Sequence, residues 1–449
     1  MKRLVDLVDL IIRRPGTFAG VMVLSLSATL SAGLLGPTHA GLTLGVQGRA
    51  NATPSIAADG SFVAIAWSGA LPDGATDVFV ATSRDGGKTF GSPVRVNDAV
   101  GTARLNGEQP PQIGLVRRPN GEPGIVVVWT LKGAQGTELR QASSTDGGRS
   151  FSASTLVPGS DAAGNRGWEA ANVESSGRVA VVWLDHRELA SDPGMAASHH
   201  QHASADKPDG VAMAQKSKLF FATLDASVAP KAITGGVCYC CKTALASSGN
   251  TIFAAWRHVY PGNLRDMAFS MSRDDGRTFS APLRVSEDRW MLEGCPDDGP
   301  SMAVDGKKRV HLAWPTLVAG EKSGEPTIGI FYAMSDDGNR FTPRQRLPTE
   351  GVPHHPRLVM TADGTLVAAW DESTGGARRI AVATATVGST GQPQFHRLPA
   401  LPVTGPGVYP TLAAAGRSVV LAWTSGGSAE SSIRVQTLGA SDARTNGAF

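Results

Sequence analysis

Apolar residues along this chain come in short, nearly unbroken runs such as Phe62-Val63-Ala64-Ile65-Ala66-Trp67 and Val419-Val420-Leu421-Ala422-Trp423. Runs of this length without helical spacing predict strands buried on both faces. Polar turns precede them, Ala58-Asp59-Gly60 in one copy and Val304-Asp305-Gly306 in another, which predicts a hairpin ahead of each run. Seven of the nine tryptophans close such a phrase: Ser55 to Trp67, Gln112 to Trp129, Ala170 to Trp183, Thr243 to Trp256, Ser301 to Trp314, Pro356 to Trp370 and Pro410 to Trp423. The intervals between these tryptophans are 62, 54, 73, 58, 56 and 53 residues, a period near 59 that gives about seven units. Each unit holds at least one further apolar strand, for example Asp77 to Ala81 or Ile328 to Ala333. Four strands per unit, repeated around an axis, predict an all-β fold: a single β-propeller of four-stranded blades, with seven blades favoured and six the alternative.

Composition agrees with this. With 53 Gly and 28 Pro among 449 residues and only 18% charged, the chain has too many turn formers for a helical bundle or coiled coil. Length alone would suggest about three domains, but the repeat merges them into one propeller over residues 41–436, followed by a tail at 437–449. Residues 1–40 read as a signal peptide: Lys2, Arg3, Arg13 and Arg14 make a basic start, Phe18 to Gly36 is uncharged and apolar, and Thr38-His39-Ala40 suits cleavage before Gly41. An uncleaved membrane anchor is the alternative. The leader holds four basic and two acidic residues, so the remainder carries 38 basic against 37 acidic groups. That balance lacks the basic surplus of a nucleic-acid binder. The expectation is an exported protein, periplasmic or extracellular, with no membrane contact after cleavage.

A second repeated phrase follows the third strand of several units. Ser83 to Phe90, Ser144 to Phe151 and Ser272 to Phe279 all read S-x-D-x-G-x-[ST]-F, and a fourth copy, Met334 to Phe341, keeps Asp336, Gly338 and Phe341 with Met334 in place of Ser. These phrases resemble the Asp-box of sialidase-like, BNR-repeat propellers. The resemblance places each box in the turn between strands 3 and 4. The aspartates Asp85, Asp146, Asp274 and Asp336 are then expected to accept backbone N–H bonds and brace the hairpin, not to catalyse.

Alternating connections put the 1–2 turns on the Asp-box face, and the 2–3 loops and blade-to-blade connections on the opposite face, where ligands are expected. The connection into blade 4 contains Cys238-Tyr239-Cys240-Cys241, that into blade 5 contains Cys295, that into blade 6 His354-His355, and that into blade 7 Tyr409. The 2–3 loop of blade 3, from Leu184 to about Lys218, adds Asp185-His186-Arg187, Met195, His199, His200, His202 and Met213, and blade 4 adds Arg257-His258, Tyr260, Arg265 and Asp266. All four cysteines and seven of the ten histidines then fall on one face.

Thiolate, thioether and imidazole donors together suit copper(I) first and zinc next. The candidate ligands are Cys238, Cys240, Cys241, Cys295, His354 and His355, with Met195, His199, His200 and His202 as a second site or lid. Two disulfides are the alternative state of the same cysteines in an oxidising compartment, Cys238–Cys241 with Cys240–Cys295 being one of three connectivities. The resemblance also implies an exo-sialidase, which holds an anionic sugar with arginines and uses a Tyr nucleophile and an Asp acid/base. Arg187, Arg257 and Arg265 are its anion-binding candidates, Tyr260 and Tyr409 its nucleophiles, and Asp185, Glu169 or Asp371 its proton handlers. The Arg-Ile-Pro type motif of such enzymes has no counterpart at Gly48-Arg49-Ala50-Asn51-Ala52-Thr53-Pro54. The partner is thus a metal ion or a small anionic or glycan ligand, with a protein-interaction scaffold as the third class.

Overall fold

The computed structural model describes residues 35–37, 41–119, 121–190, 210–292, 298–319, 325–388, 391–401, 405–427 and 429–440. Met195, His199, His200, His202 and Cys295 lie outside these residues, as does most of the leader. No helix among the described residues is long and apolar enough to cross a membrane.

Seven antiparallel sheets, six of four strands in sequence order and one of five strands drawn from both ends of the chain, make a seven-bladed propeller. Blade 1 consists of Ala50–Asp59, Phe62–Ala70, Thr76–Ser83 and Val94–Arg95. Blade 7 has three strands from the end of the chain, Val408–Ala415, Ser418–Ser425 and Ser432–Ala440, and takes its fourth from the beginning, Leu42–Leu44. Leu42 pairs with Val435 and Leu44 with Ile433, so the two ends of the chain close the ring and leave no open edge between first and last blades. Leu35–Pro37 pairs further along the same strand, against Leu438–Ala440. The propeller therefore runs past residue 436.

The second strand of each blade explains the unbroken apolar runs. Phe62 through Gly69 are all buried because both faces of the blade pack against neighbours. Between blades 7 and 1, Val63, Ile65 and Trp67 meet Val420, Ala422 and Val435, and a comparable apolar cluster fills the other blade interfaces. Each such side chain contributes about 1.5–3 kcal/mol by leaving water. The repeated tryptophans form the deepest layer of these interfaces. In three blades the residue two positions on accepts the indole N–H: Trp183 donates to Asp185 (3.0 Å), Trp256 to His258 (3.3 Å) and Trp370 to Glu372 (2.7 Å), whereas Trp314 donates to Asp288 (2.7 Å).

The Asp-boxes brace their hairpins as expected. Asp146 Oδ1 accepts the Arg149 and Ser150 backbone N–H groups at 2.9 and 3.0 Å, its Oδ2 accepts Ser150 Oγ at 2.6 Å, and Ser144 Oγ accepts the Gly148 N–H at 2.9 Å. Asp85 and Asp274 repeat the pattern, and hydrogen bonds from Thr89 and Thr278 bring both carboxyls down to about 2. The fourth box departs from the sequence expectation. Ser335 and Asp337 make the brace: Ser335 Oγ accepts the Gly338 N–H (2.9 Å) and Asp337 accepts the Asn339 N–H (2.8 Å). Met334 is instead a buried core residue. This box is one residue shorter between Ser and Phe, which an alignment anchored on Gly338 and Phe341 hides.

Gly86 N–H donates to Ser61 O in blade 1 and Asp275 N–H to Asn250 O in blade 4, tying each Asp-box to the 1–2 turn of its own blade on one face. The 2–3 loop of blade 3 leaves strand Val179–Asp185 and returns at Lys218–Thr223, with short helices Arg187–Ala190 and Gly210–Lys216.

Candidate functional site at the channel mouth

The segment between blades 3 and 4 lies along the end of blade 4, held by Cys238 N–H to Arg257 O (2.9 Å) and Val259 N–H to Gly236 O (2.8 Å). Gly236 turns there with φ of 71°, and a Cβ would meet the His258 ring at 3.0 Å. The turn brings three cysteine sulfurs within 4.8 Å of one another, all buried, a set that can hold a metal ion. Ala214 and Val211 of helix Gly210–Lys216, with Val259 and Trp168, cover this group. Part of the long blade 3 loop therefore roofs the cysteines.

The three sulfurs are not equivalent. Cys238 and Cys241 are free thiols, whereas Cys240 is disulfide-bonded with its partner outside the described residues. One cysteine of the cluster is thus oxidised while its two neighbours are free. Cys241 S–H donates to Cys238 Sγ at 3.6 Å, and Arg265 Nη1 donates to the same sulfur at 3.1 Å. The Cys241 hydrogen bond, with Arg265 and Arg257 nearby, outweighs burial and lowers the Cys238 thiol to about 6. Burial and the Cys238 charge push Cys241 well up. Cys238 is thus the more acidic of the pair, and Cys241 donates to it.

His354, His355 and Tyr409 are not in connections. They sit in the first strands of blades 6 and 7, Val352–Met360 and Val408–Ala415, where the register shifts between His354 and Arg357 and between Val408 and Thr411. His355 and Tyr409 take φ of 54° and 55° at these bulges, as Thr53 and Trp168 do in blades 1 and 3. A bulge re-aims a side chain from a strand toward the channel mouth. His355 Nδ1 lies 2.6 Å from Asp371 Oδ1 and Nε2 lies 3.0 Å from Glu108 Oε1, so neither ring nitrogen is open to a metal. The Tyr409 ring packs on His355 with centroids 4.4 Å apart. Burial opposes the His355 charge, but Asp298, Asp371 and Glu108 overcome it and raise the group to about 9. Asp298 joins the two halves of the mouth: its carboxylate takes Lys242 Nζ (2.9 Å) and the His355 N–H (2.7 Å), while its backbone hydrogen-bonds Cys241.

The arginines proposed for anion binding are committed to the protein. Arg257 is buried, stacks 4.6 Å over Trp290, and donates to the carbonyls of Arg265 (3.0 Å), Asp298 (3.3 Å) and Pro315 (2.8 Å). Arg187 holds Asp185 and Gly159 O and lies over Phe220, and Asp185 is further paired with Arg166 and Trp183. Arg265 serves Cys238 and Leu292 O. Tyr260 packs between His258 and Arg284, and burial raises it to about 12. The three arginines thus direct most of their donors at protein acceptors.

A cavity of about 190 Å³ lies where the first strands of all seven blades converge. Seven equivalent residues line it, each paired with the residue just before a repeated tryptophan: Ser55, Gln112, Ala170, Ala244, Ser301, Arg357 and Thr411. One position earlier, five blades carry Pro54, Pro111, Pro300, Pro356 and Pro410, whereas blade 3 has Glu169 and blade 4 Thr243. Glu169, Lys242 and Arg357 all line the cavity. Burial raises Glu169 to about 7 despite its hydrogen bond from Thr130. Glu108, Lys242, Asp298 and Arg357 escaped the sequence reading. Aligning the first strands of the repeats would have exposed Arg357 as the charged member of its ring.

The class is an Asp-box β-propeller, sialidase-like in its blades and hairpin braces. No protein-family model and no curated protein matches the sequence. Among solved structures, the chain is similar to a protein of unknown function from Dyadobacter fermentans, with 15% identity, 90% of this chain and 99% of that chain covered, and a TM-score of 0.50. It is also similar to a polysaccharide lyase of family PL25, an ulvan lyase, at 10% identity, 89% and 96% coverage and a TM-score of 0.53. The NanB sialidase from Streptococcus pneumoniae matches at 10% identity over 90% of this chain and 70% of that one, with a TM-score of 0.45. At these identities the likeness concerns the fold.

Proposed function

We propose that this propeller is an exported metal-binding protein that holds a soft ion, copper(I) before zinc(II), between Cys238 and Cys241 at the channel mouth. The carrying observation is a pair of buried free thiols 3.6 Å apart, with Arg265 donating to the Cys238 sulfur. Two sulfur donors with both nitrogens of His355 engaged elsewhere suit a two-coordinate copper(I) ion, while zinc asks for four ligands. The disulfide at Cys240 supports an oxidising compartment, in keeping with the signal-like leader. The sialidase alternative has less support, because Arg187 and Arg257 direct their donors at protein acceptors.

Anaerobic titration with copper(I) against a chromophoric chelator tests this. One ion per chain is expected, with sulfur-to-copper charge-transfer absorption, and Cys238→Ser with Cys241→Ser abolishes both. Uptake that survives the double substitution, or no uptake by folded protein with both thiols free, overturns the reading. Release of sialic acid from a fluorogenic substrate would move it to a glycosidase.

A further inference from the structure

The cavity between the first strands has features that the metal reading does not use. At the ring of equivalent positions six blades place small or neutral residues, and blade 6 places Arg357. No hydrogen bond or ion pair within 4.0 Å satisfies its guanidinium among the described residues, and its Nε is buried without a partner. Ser55 Oγ, at the same level of the ring in blade 1, is also buried and unpartnered. The rest of the lining mixes polar groups, among them Gln112, Ser301, Thr411, Glu169 and Lys242, with apolar side chains such as Leu245 and Leu358. The Arg357 side chain is half-buried, with the Glu108 and Asp298 carboxylates acting on it without a direct hydrogen bond, and departures from a repeat concentrate where function requires them.

We propose that this cavity binds a small hydroxycarboxylate, with the carboxylate taken by the Arg357 fork and the hydroxyls by Ser55 and Glu169. The planar guanidinium matches a carboxylate through two parallel N–H···O bonds, which a lysine at that position would not supply. Glu169 and Ser55 complete the ligand's hydrogen bonding: the carboxyl accepts from a ligand hydroxyl, and the serine hydroxyl either donates or accepts. The volume of about 190 Å³ accommodates a molecule of a few carbon atoms, not an oligosaccharide. The groups assigned to the ligand, Ser55, Glu169 and Arg357, come from the first strands of blades 1, 3 and 6 and are distinct from the cysteine pair.

Calorimetric titration of glycerate into the full propeller tests the assignment, with acetate and inorganic phosphate as comparison anions. Glycerate is expected to bind at one per chain, more tightly than acetate or phosphate. Arg357→Gln should weaken it at least tenfold, because the neutral amide supplies no charged fork for the carboxylate. Should that variant fail to fold, Arg357→Lys keeps the charge and should still weaken glycerate severalfold. Cys238→Ser with Cys241→Ser should bind glycerate as the wild type does, which separates failure here from failure of the metal reading. Equal binding by folded Arg357→Gln, phosphate binding tighter than glycerate, or no binding of glycerate by the wild type overturns the proposal.

Discussion

His355 and Asp371 pair at the channel mouth, Nδ1 to Oδ1 at 2.6 Å, while Glu108 takes the other ring nitrogen at 3.0 Å. This holds the imidazolium up to about 9 against an ordinary 6.5. Below 6.5 folded and unfolded chains both carry the proton and the full stabilisation is present. As pH rises from 6.5 toward 9 the unfolded chain loses its proton first, and the contribution fades. The shift corresponds to about 3 kcal/mol. Denaturant unfolding of wild type and His355→Gln at a series of pH values should show their difference shrinking across that window. A difference that stays constant from pH 6 to pH 10 would falsify the ion-pair account.

The mixed redox state of the cysteines has a simple signature. Protein unfolded without reductant should show two reactive thiols per chain, from Cys238 and Cys241. After reduction all four cysteines should react. A count of zero or four before reduction contradicts the arrangement at Cys240.

The shifted fourth Asp-box separates two adjacent aspartates. Asp337→Ala removes the acceptor of the Asn339 N–H and should lower Tm by roughly 1–3 °C. Asp336→Ala should leave Tm unchanged. The reverse order in a thermal melt would restore the register expected from the sequence, and neither change should alter copper or glycerate binding.

Arg257 and Arg187 should differ sharply in their structural importance. Arg257→Met strands three carbonyl acceptors at a buried site and should cost about 3 kcal/mol or more. Arg187 lies nearer the surface, 29% exposed in its side chain, and Arg187→Met should cost about 1 kcal/mol. Equal losses by denaturant unfolding would contradict this assignment.

Much of the architecture followed from the sequence because it is local and repeated. An apolar run ending in Trp reports burial on both faces, and seven such runs report seven blades. The Asp-box reports its own hairpin, because Ser83, Asp85 and Thr89 satisfy one another within a few residues. Pairing across blades was beyond that reading. Asp298 contacts Lys242 and His355 from different blades, Glu108 meets His355 from far along the chain, and the partner of each depends on where ring closure sets the blades. The sequence alone therefore determined the blade, its turn chemistry and the clustering of cysteines. Tertiary structure decided which charges are neutralised, which thiols stay free, and that Arg357 lines the central cavity, since these depend on distances that only the closed ring defines.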